Sequence, residues 1–187
     1  MGSDLVLPQN LLHSQLVTAR RPIFPIAALL FFAATCPAQP ADKDPTAIVE
    51  LGGAAGRALN GGGWSFGPDI AAEVTPVENW LELEAGVTPL FRRHHSTEWN
   101  TDLLFKKPWT LSRKVEFMAG IGPEWVHTHE PGTKRNSLAG EAVLDFMFWP
   151  GARHKFGWFV EPGFDYSFAR GHERSLGISA GLLIAIP

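Results

Sequence analysis

The residues best suited to chemistry in this chain are acidic side chains at every second position of otherwise apolar stretches. Glu82 and Glu84, for example, flank Leu83. Successive side chains of a β-strand point to opposite faces, so this alternation predicts strands with one apolar and one polar face. The acids expected on the polar face are Glu50, Asp69, Glu73, Glu82, Glu84, Asp102, Glu116, Glu124, Glu141, Asp145, Glu161 and Asp165.

These carboxylates allow two interpretations if their strands enclose an interior. They form either a cation-attracting lumen or internal ion site, or a wet, hydrogen-bonded filling in which some carboxyl groups stay protonated. Lys106 and Lys114 are the basic residues expected among them. Because narrow barrels are normally filled by side chains, we favour a filled acidic lumen without a catalytic role or a cofactor.

Five histidines form a second group of candidate ligands, and all of them fall in or beside predicted loops. Imidazole and nearby carboxylates can bind zinc or copper. The spacing of these histidines matches no known ligand motif, so a solvated loop surface is the simpler interpretation. The metal candidates are His94, His95, His127, His129 and His172.

The elements that must position these residues are eight alternating strands. Their lengths approach the 9–11 residues that a tilted strand needs to cross a bilayer. Tight turns are expected near Pro76, Pro108 and Pro150, and longer loops near Asn60, His95, Pro131 and Gly171. The predicted strands cover residues 47–55, 66–75, 80–91, 99–105, 115–125, 138–148, 157–168 and 176–186.

Alternation alone does not say which face looks inward, because a soluble exported barrel would alternate in the same way. Three observations favour a membrane: glycines crowd the polar face, Lys and Arg are scarce in strand centres, and tryptophans cluster near strand ends. Two aromatic girdles are typical of the two interfaces of a bilayer. The predicted girdle residues are Trp64, Trp80, Trp99, Trp109, Trp125, Trp149 and Trp158.

The amino-terminal region has the features of an export signal. Arg20 and Arg21 precede the apolar run 22–35, and small residues at 36–38 predict cleavage after Ala38. Residues 1–38 are therefore expected to be a signal peptide, with 1–19 as a possible upstream extension, and residues 39–187 a barrel domain. Cys36 is the one cysteine, so the barrel has no disulfide framework. The net charge of −3 gives no basic footprint for nucleic acid.

A signal followed by eight alternating strands, three tight turns and four loops resembles the small outer-membrane barrel families typified by OmpX, OmpW and the OmpA barrel. The resemblance covers roughly residues 40–187 and is architectural. It implies an all-β, eight-stranded antiparallel up-and-down transmembrane barrel in the bacterial outer membrane. Such a protein is expected to be a monomer with a structural or surface-interaction role, surrounded by lipid and inserted by the assembly machinery. The sequence departs from these families at its end, where Pro187 replaces the usual aromatic residue.

Two alternatives remain open. One is an outer-membrane lipid-modifying enzyme similar to the lipid A deacylases, which carry a His and a Ser two residues apart on a strand. His172 and Ser175 are three apart here and so would not share a strand face. The other is a soluble exported binding barrel of the lipocalin type, with apolar residues inside and acids on its surface.

Overall fold

The chain folds into a closed antiparallel β-barrel. A computed structural model describes residues 45–61, 63–92, 96–130, 132–151 and 154–186. Each strand pairs with its neighbours in sequence, and β1 pairs with β8 to close the barrel, which confirms the predicted eight-stranded up-and-down topology. The strands are β1 (Ala47–Ala58), β2 (Trp64–Val77), β3 (Leu81–Arg92), β4 (Ser96–Ser112), β5 (Val115–Glu130), β6 (Thr133–Phe148), β7 (Phe156–Ser167) and β8 (Arg174–Ile186).

The apolar face of the strands points outward. Ile70, Ile121 and Leu182 are 54%, 68% and 62% exposed, whereas Glu82 and Glu84 are buried. The alternating side chains of each strand therefore point as the membrane interpretation requires, with acids inside and large apolar residues outside. None of the described residues forms a helix with the length and apolar character that a bilayer crossing requires.

Two of the three prolines expected near turns lie inside strands. Pro108 lies buried inside β4, and the ladder to β5 continues on both of its sides, so the turn falls at residues 113–114. Proline removes one backbone donor but its fixed φ is still compatible with an extended chain. Pro76 likewise lies within β2, and the turn follows at residues 78–80, where Asn79 has a φ of +57°.

The strands on the loop side run further than predicted. β5 continues to Glu130 and β6 begins at Thr133, so both strands extend into the region where a longer loop near Pro131 is expected. Arg92 and the residues from Ser96 onward also belong to strands rather than to the loop expected near His95. These extensions could not be recognised in the sequence, because a strand that continues beyond the membrane carries polar side chains on both faces. The alternation of apolar and polar residues is then lost.

Two inward glycines allow neighbouring strands to approach closely. A Cβ atom at Gly67 would lie 1.8 Å from the carbonyl oxygen of Pro89, and one at Gly122 would lie 1.9 Å from that of Leu103. No side chain fits at such distances, so glycine is required there by backbone contact. The glycine-rich polar face thus reflects close strand packing as well as the narrow interior.

The apolar core forms a layer across the turn end of the barrel, which we call the apolar plug. Trp149 belongs to it, with 2% of its surface exposed, and its ring stacks on His154. The prediction of Trp149 in the outer girdle is therefore wrong. It continues the inward parity of Asp145 and Met147 beyond the end of β6. The members of the apolar plug are Ile48, Met118, Met147, Trp149, Phe159 and Leu183.

Candidate functional site

Above the apolar plug, a buried lysine sits among acids from three other strands. The Lys106 ammonium on β4 lies 3.1 Å from Oδ2 of Asp145 on β6 and 2.6 Å from Oε2 of Glu161 on β7. It also contacts the Glu84 carboxylate on β3. Lys106 is only 1% exposed, so these charge-assisted hydrogen bonds are screened little by solvent.

The loop half of the interior contains an acidic cavity of about 90 Å³. Such a volume holds several water molecules, which polar walls of this kind require. Two hydroxyls orient carboxylates on these walls. Oγ1 of Thr88 donates to Oδ1 of Asp69 at 2.6 Å, and Oγ of Ser175 donates to Oδ2 of Asp165 at 2.9 Å. The acids lining the cavity are Asp69, Glu84, Glu98, Asp102, Glu124, Glu141, Glu161 and Asp165.

The basic residues of the interior differ from those expected. Lys114 is exposed in the turn between β4 and β5, because the turn falls later than Pro108. Arg92 takes an inward position instead, and its guanidinium lies 3.0 Å from Oε2 of Glu98 on β4. Its place two residues beyond the buried Leu90 is the signal that would have revealed it.

All twelve candidate acids alternate with outward residues and are buried or half-buried. Glu50, Glu73, Glu82, Glu84, Glu124 and Asp145 are at most 7% exposed, and Asp69 is 9% exposed. The remaining five, Asp102, Glu116, Glu141, Glu161 and Asp165, are half-buried. The structure therefore brings these carboxylates into one interior, where some of them contact Lys106 and others line the cavity.

Six of the seven girdle candidates point outward from strand ends. Trp80, Trp109 and Trp158 lie toward the turn end, and their exposed fractions run from 37% to 62%. The tryptophans toward the loop end have exposed fractions of 48–59% and are Trp64, Trp99 and Trp125. Large exposed indoles at two levels are suited to the two headgroup regions of a bilayer.

The histidines do not form a metal centre among the described residues. His127 and His129 take outward positions on β5, and Nδ1 of His127 contacts Oδ1 of Asn136. His172 stacks on Tyr166 in the loop between β7 and β8. Within the described ranges no histidine joins three or more convergent ligands. His94 and His95 lie outside the described residues.

His172 and Ser175 do not meet as a catalytic pair. His172 is exposed and contacts the Tyr166 ring, whereas the Ser175 hydroxyl points into the cavity toward Asp165. A nucleophile and its base must lie within hydrogen-bond reach of one another. The geometry of this pair therefore gives no support to a deacylase-like site.

Comparison with solved structures identifies the fold as that of the small eight-stranded outer-membrane barrels. Neisserial surface protein A superposes with a TM-score of 0.58 at 12% identity, covering 75% of this chain and 96% of that one. The amino-terminal barrel domain of OprF from Pseudomonas aeruginosa gives 0.52 at 11% identity, covering 76% and 100%. Ail, the attachment invasion locus protein of Yersinia pestis, gives 0.51 at 12% identity, with the same coverages. Neither a family model nor a curated protein sequence matches the chain.

Proposed function

We propose that this chain is an outer-membrane barrel with a filled acidic lumen and a structural or surface-interaction role. The observation that carries the proposal is the inverted arrangement of side chains. Ile121 and Leu182 are mostly exposed on the outer face, while Glu50, Asp145 and Lys106 are at most 1% exposed inside. In water, large apolar side chains on the surface and charged side chains in the interior are both unfavourable. In a bilayer, the apolar outer face contacts hydrocarbon and is stabilised there. A closed barrel also leaves no unpaired strand edge in lipid.

The interior is unsuited to passage of solutes. The apolar plug closes the turn end, where Met118, Met147 and Leu183 are fully buried. The cavity of about 90 Å³ thus opens toward the loops and ends at the Lys106 cluster. We therefore assign the function to the outer surface and the loop end rather than to a channel.

The partner that fits the loop end is the anionic headgroup layer of the membrane. Arg57 lies 5.6 Å from the ring of Trp64, and Arg174 lies 5.9 Å from the ring of Tyr166. These cations therefore sit beside aromatic rings at the level where headgroup phosphates are expected. Two of the structurally similar proteins are named as a surface protein and an attachment protein, which supports a role at the cell surface.

Cell fractionation with gel mobility tests the location. We expect the protein in the detergent-soluble outer-membrane fraction, with a folded band that shifts after boiling. A chain that stays soluble without detergent would contradict the proposal and favour the binding-barrel alternative. Conductance in planar bilayers tests the closed lumen, and large stable currents would count against it.

Lipid A profiling tests the enzymatic alternative. His172→Ala should leave the acylation pattern of lipid A unchanged in cells that express it, since His172 and Ser175 have separate partners. Ser175→Ala is the matched variant, because it removes the other half of the pair. A loss of deacylation in both variants would establish the enzyme instead.

A further inference from the structure

Four buried carboxylates come close together in the interior of the barrel. Glu50, Glu73, Glu84 and Asp145 each offer one oxygen, and these oxygens lie within 4.8 Å of one another. The four residues come from β1, β2, β3 and β6, and each side chain therefore starts from a rigid strand rather than from a loop. We propose that these carboxylates bind one divalent cation, and that calcium is the ion they fit.

Buried carboxylate oxygens without hydrogen-bond partners indicate a site for a cation. Neither carboxylate oxygen of Glu73 has a hydrogen-bond partner among the described residues, and Glu73 is 1% exposed. Oε1 of Glu50 and Oδ1 of Asp145 also lack partners, and these two residues are 1% and 0% exposed. Buried carboxylates are normally paired or coordinate a metal, because burial without compensation is costly.

Lys106 does not satisfy this group. Its ammonium takes Oδ2 of Asp145 and leaves Oδ1 without a partner, and it also contacts Glu84 and Glu161. With Glu50 and Glu73, one ammonium therefore faces five carboxylates. A divalent cation on the opposite oxygens reduces this excess while the lysine keeps its own contacts.

The ligand chemistry selects the ion. All four groups are carboxylates, and oxygen-only sites suit hard cations such as calcium and magnesium. Oxygens bound to one calcium ion at about 2.3–2.6 Å can be up to about 5 Å apart, whereas the shorter bonds of magnesium allow only about 4 Å. Glu84 also lines the cavity, which gives the ion a hydrated route from the loop end.

Calorimetry on the folded protein in detergent tests the proposal. The metal is first removed with a chelator, and calcium is then titrated in the absence of lipid phosphate. We expect one calcium ion per barrel, and Glu73→Gln should weaken binding roughly tenfold or more because it removes the unpartnered carboxylate. Glu141→Gln is the matched control, since it replaces one inward carboxyl group outside the four-residue group and should keep the stoichiometry.

Several outcomes would overturn the site. No calcium binding by the wild-type protein at millimolar concentration would do so, as would equal weakening by Glu73→Gln and Glu141→Gln. If Glu73→Gln does not fold, Glu50→Gln replaces it, and unchanged calcium affinity in that variant would also refute the site. None of these results depends on where the barrel resides in the cell, so the surface role and the cation site fail separately.

Discussion

The two ends of the barrel interior follow the same alternation of side chains but differ in their share of apolar and acidic residues. At the turn end, inward positions carry residues such as Met118, Met147 and Phe159, which are at most 1% exposed. At the loop end, the same parity carries Glu124 and Asp165 around a cavity. The strand ladders satisfy the backbone at both ends, so the side chains of the interior can be largely apolar at one end and acidic at the other.

Lys106 marks the boundary between these two halves. It lies between the apolar plug and the cavity, and its carboxylate partners Asp145 and Glu161 come from separate strands. A thin apolar layer thus closes the turn end, while an ionic cluster crosses the middle of the interior. Three substitutions test how much each region contributes to stability.

The largest effect is expected at the boundary itself. Lys106→Met leaves the buried carboxylates without their ammonium and should lower the free energy of unfolding by about 3–5 kcal/mol. Lys107→Met is the control, since the Lys107 ammonium donates to the carbonyl of Asn79 and lies near the Trp109 ring but meets no carboxylate among the described residues, and it should cost about 1 kcal/mol or less. Urea unfolding from lipid vesicles, followed by tryptophan fluorescence, measures both. Equal losses would show that the cluster does not join the two halves.

A smaller loss is expected in the apolar plug. Met147→Ala removes a fully buried side chain and should cost about 3 kcal/mol, because the surrounding layer cannot refill the space. Leu144→Ala on the same strand points outward, where lipid chains replace the lost contacts, and should cost about 1 kcal/mol or less. The same unfolding experiment compares them. If Leu144→Ala were the more damaging, the plug would not be the packed end of the interior.

The smallest effect is expected on the cavity wall. Thr88→Val keeps the side-chain shape but removes the hydrogen bond to Asp69, and should cost about 1–2 kcal/mol. Thr101→Val is the control, because Thr101 is exposed on the outer face of β4. Its loss should be close to zero in vesicles. A neutral Thr88→Val would mean that cavity water fully replaces the hydroxyl.

Much of the fold could be predicted because period two is a local property. The alternation around Leu83 was enough to assign a strand and the side on which Glu82 and Glu84 lie. The prediction was wrong where a residue was assigned by its type rather than by its position in the alternation. Trp149 was assigned to the girdle because it is an aromatic near a strand end, although its spacing from Asp145 and Met147 already placed it inward.

The convergence of Glu50, Glu73, Glu84 and Asp145 could not be predicted from the sequence. Their meeting depends on the register of β1, β2, β3 and β6, and β6 does not pair with the other three. Register and strand tilt decide which side chains meet across a barrel, and neither is written in a single strand. The sequence indicated many inward acids but not which of them share a point.

The ladder between β1 and β8 has a consequence for how the chain folds. Every other ladder joins consecutive strands, but this one pairs Ala47 with Ile186, nearly the full length of the domain apart. The entropic cost of closing this loop is the largest among the eight ladders. The hairpins can therefore assemble early, and the β1–β8 ladder should form last. Until that ladder forms, the edges of β1 and β8 have backbone amides without hydrogen-bond partners. Because such groups are costly in hydrocarbon, a bilayer strongly favours closure of the barrel.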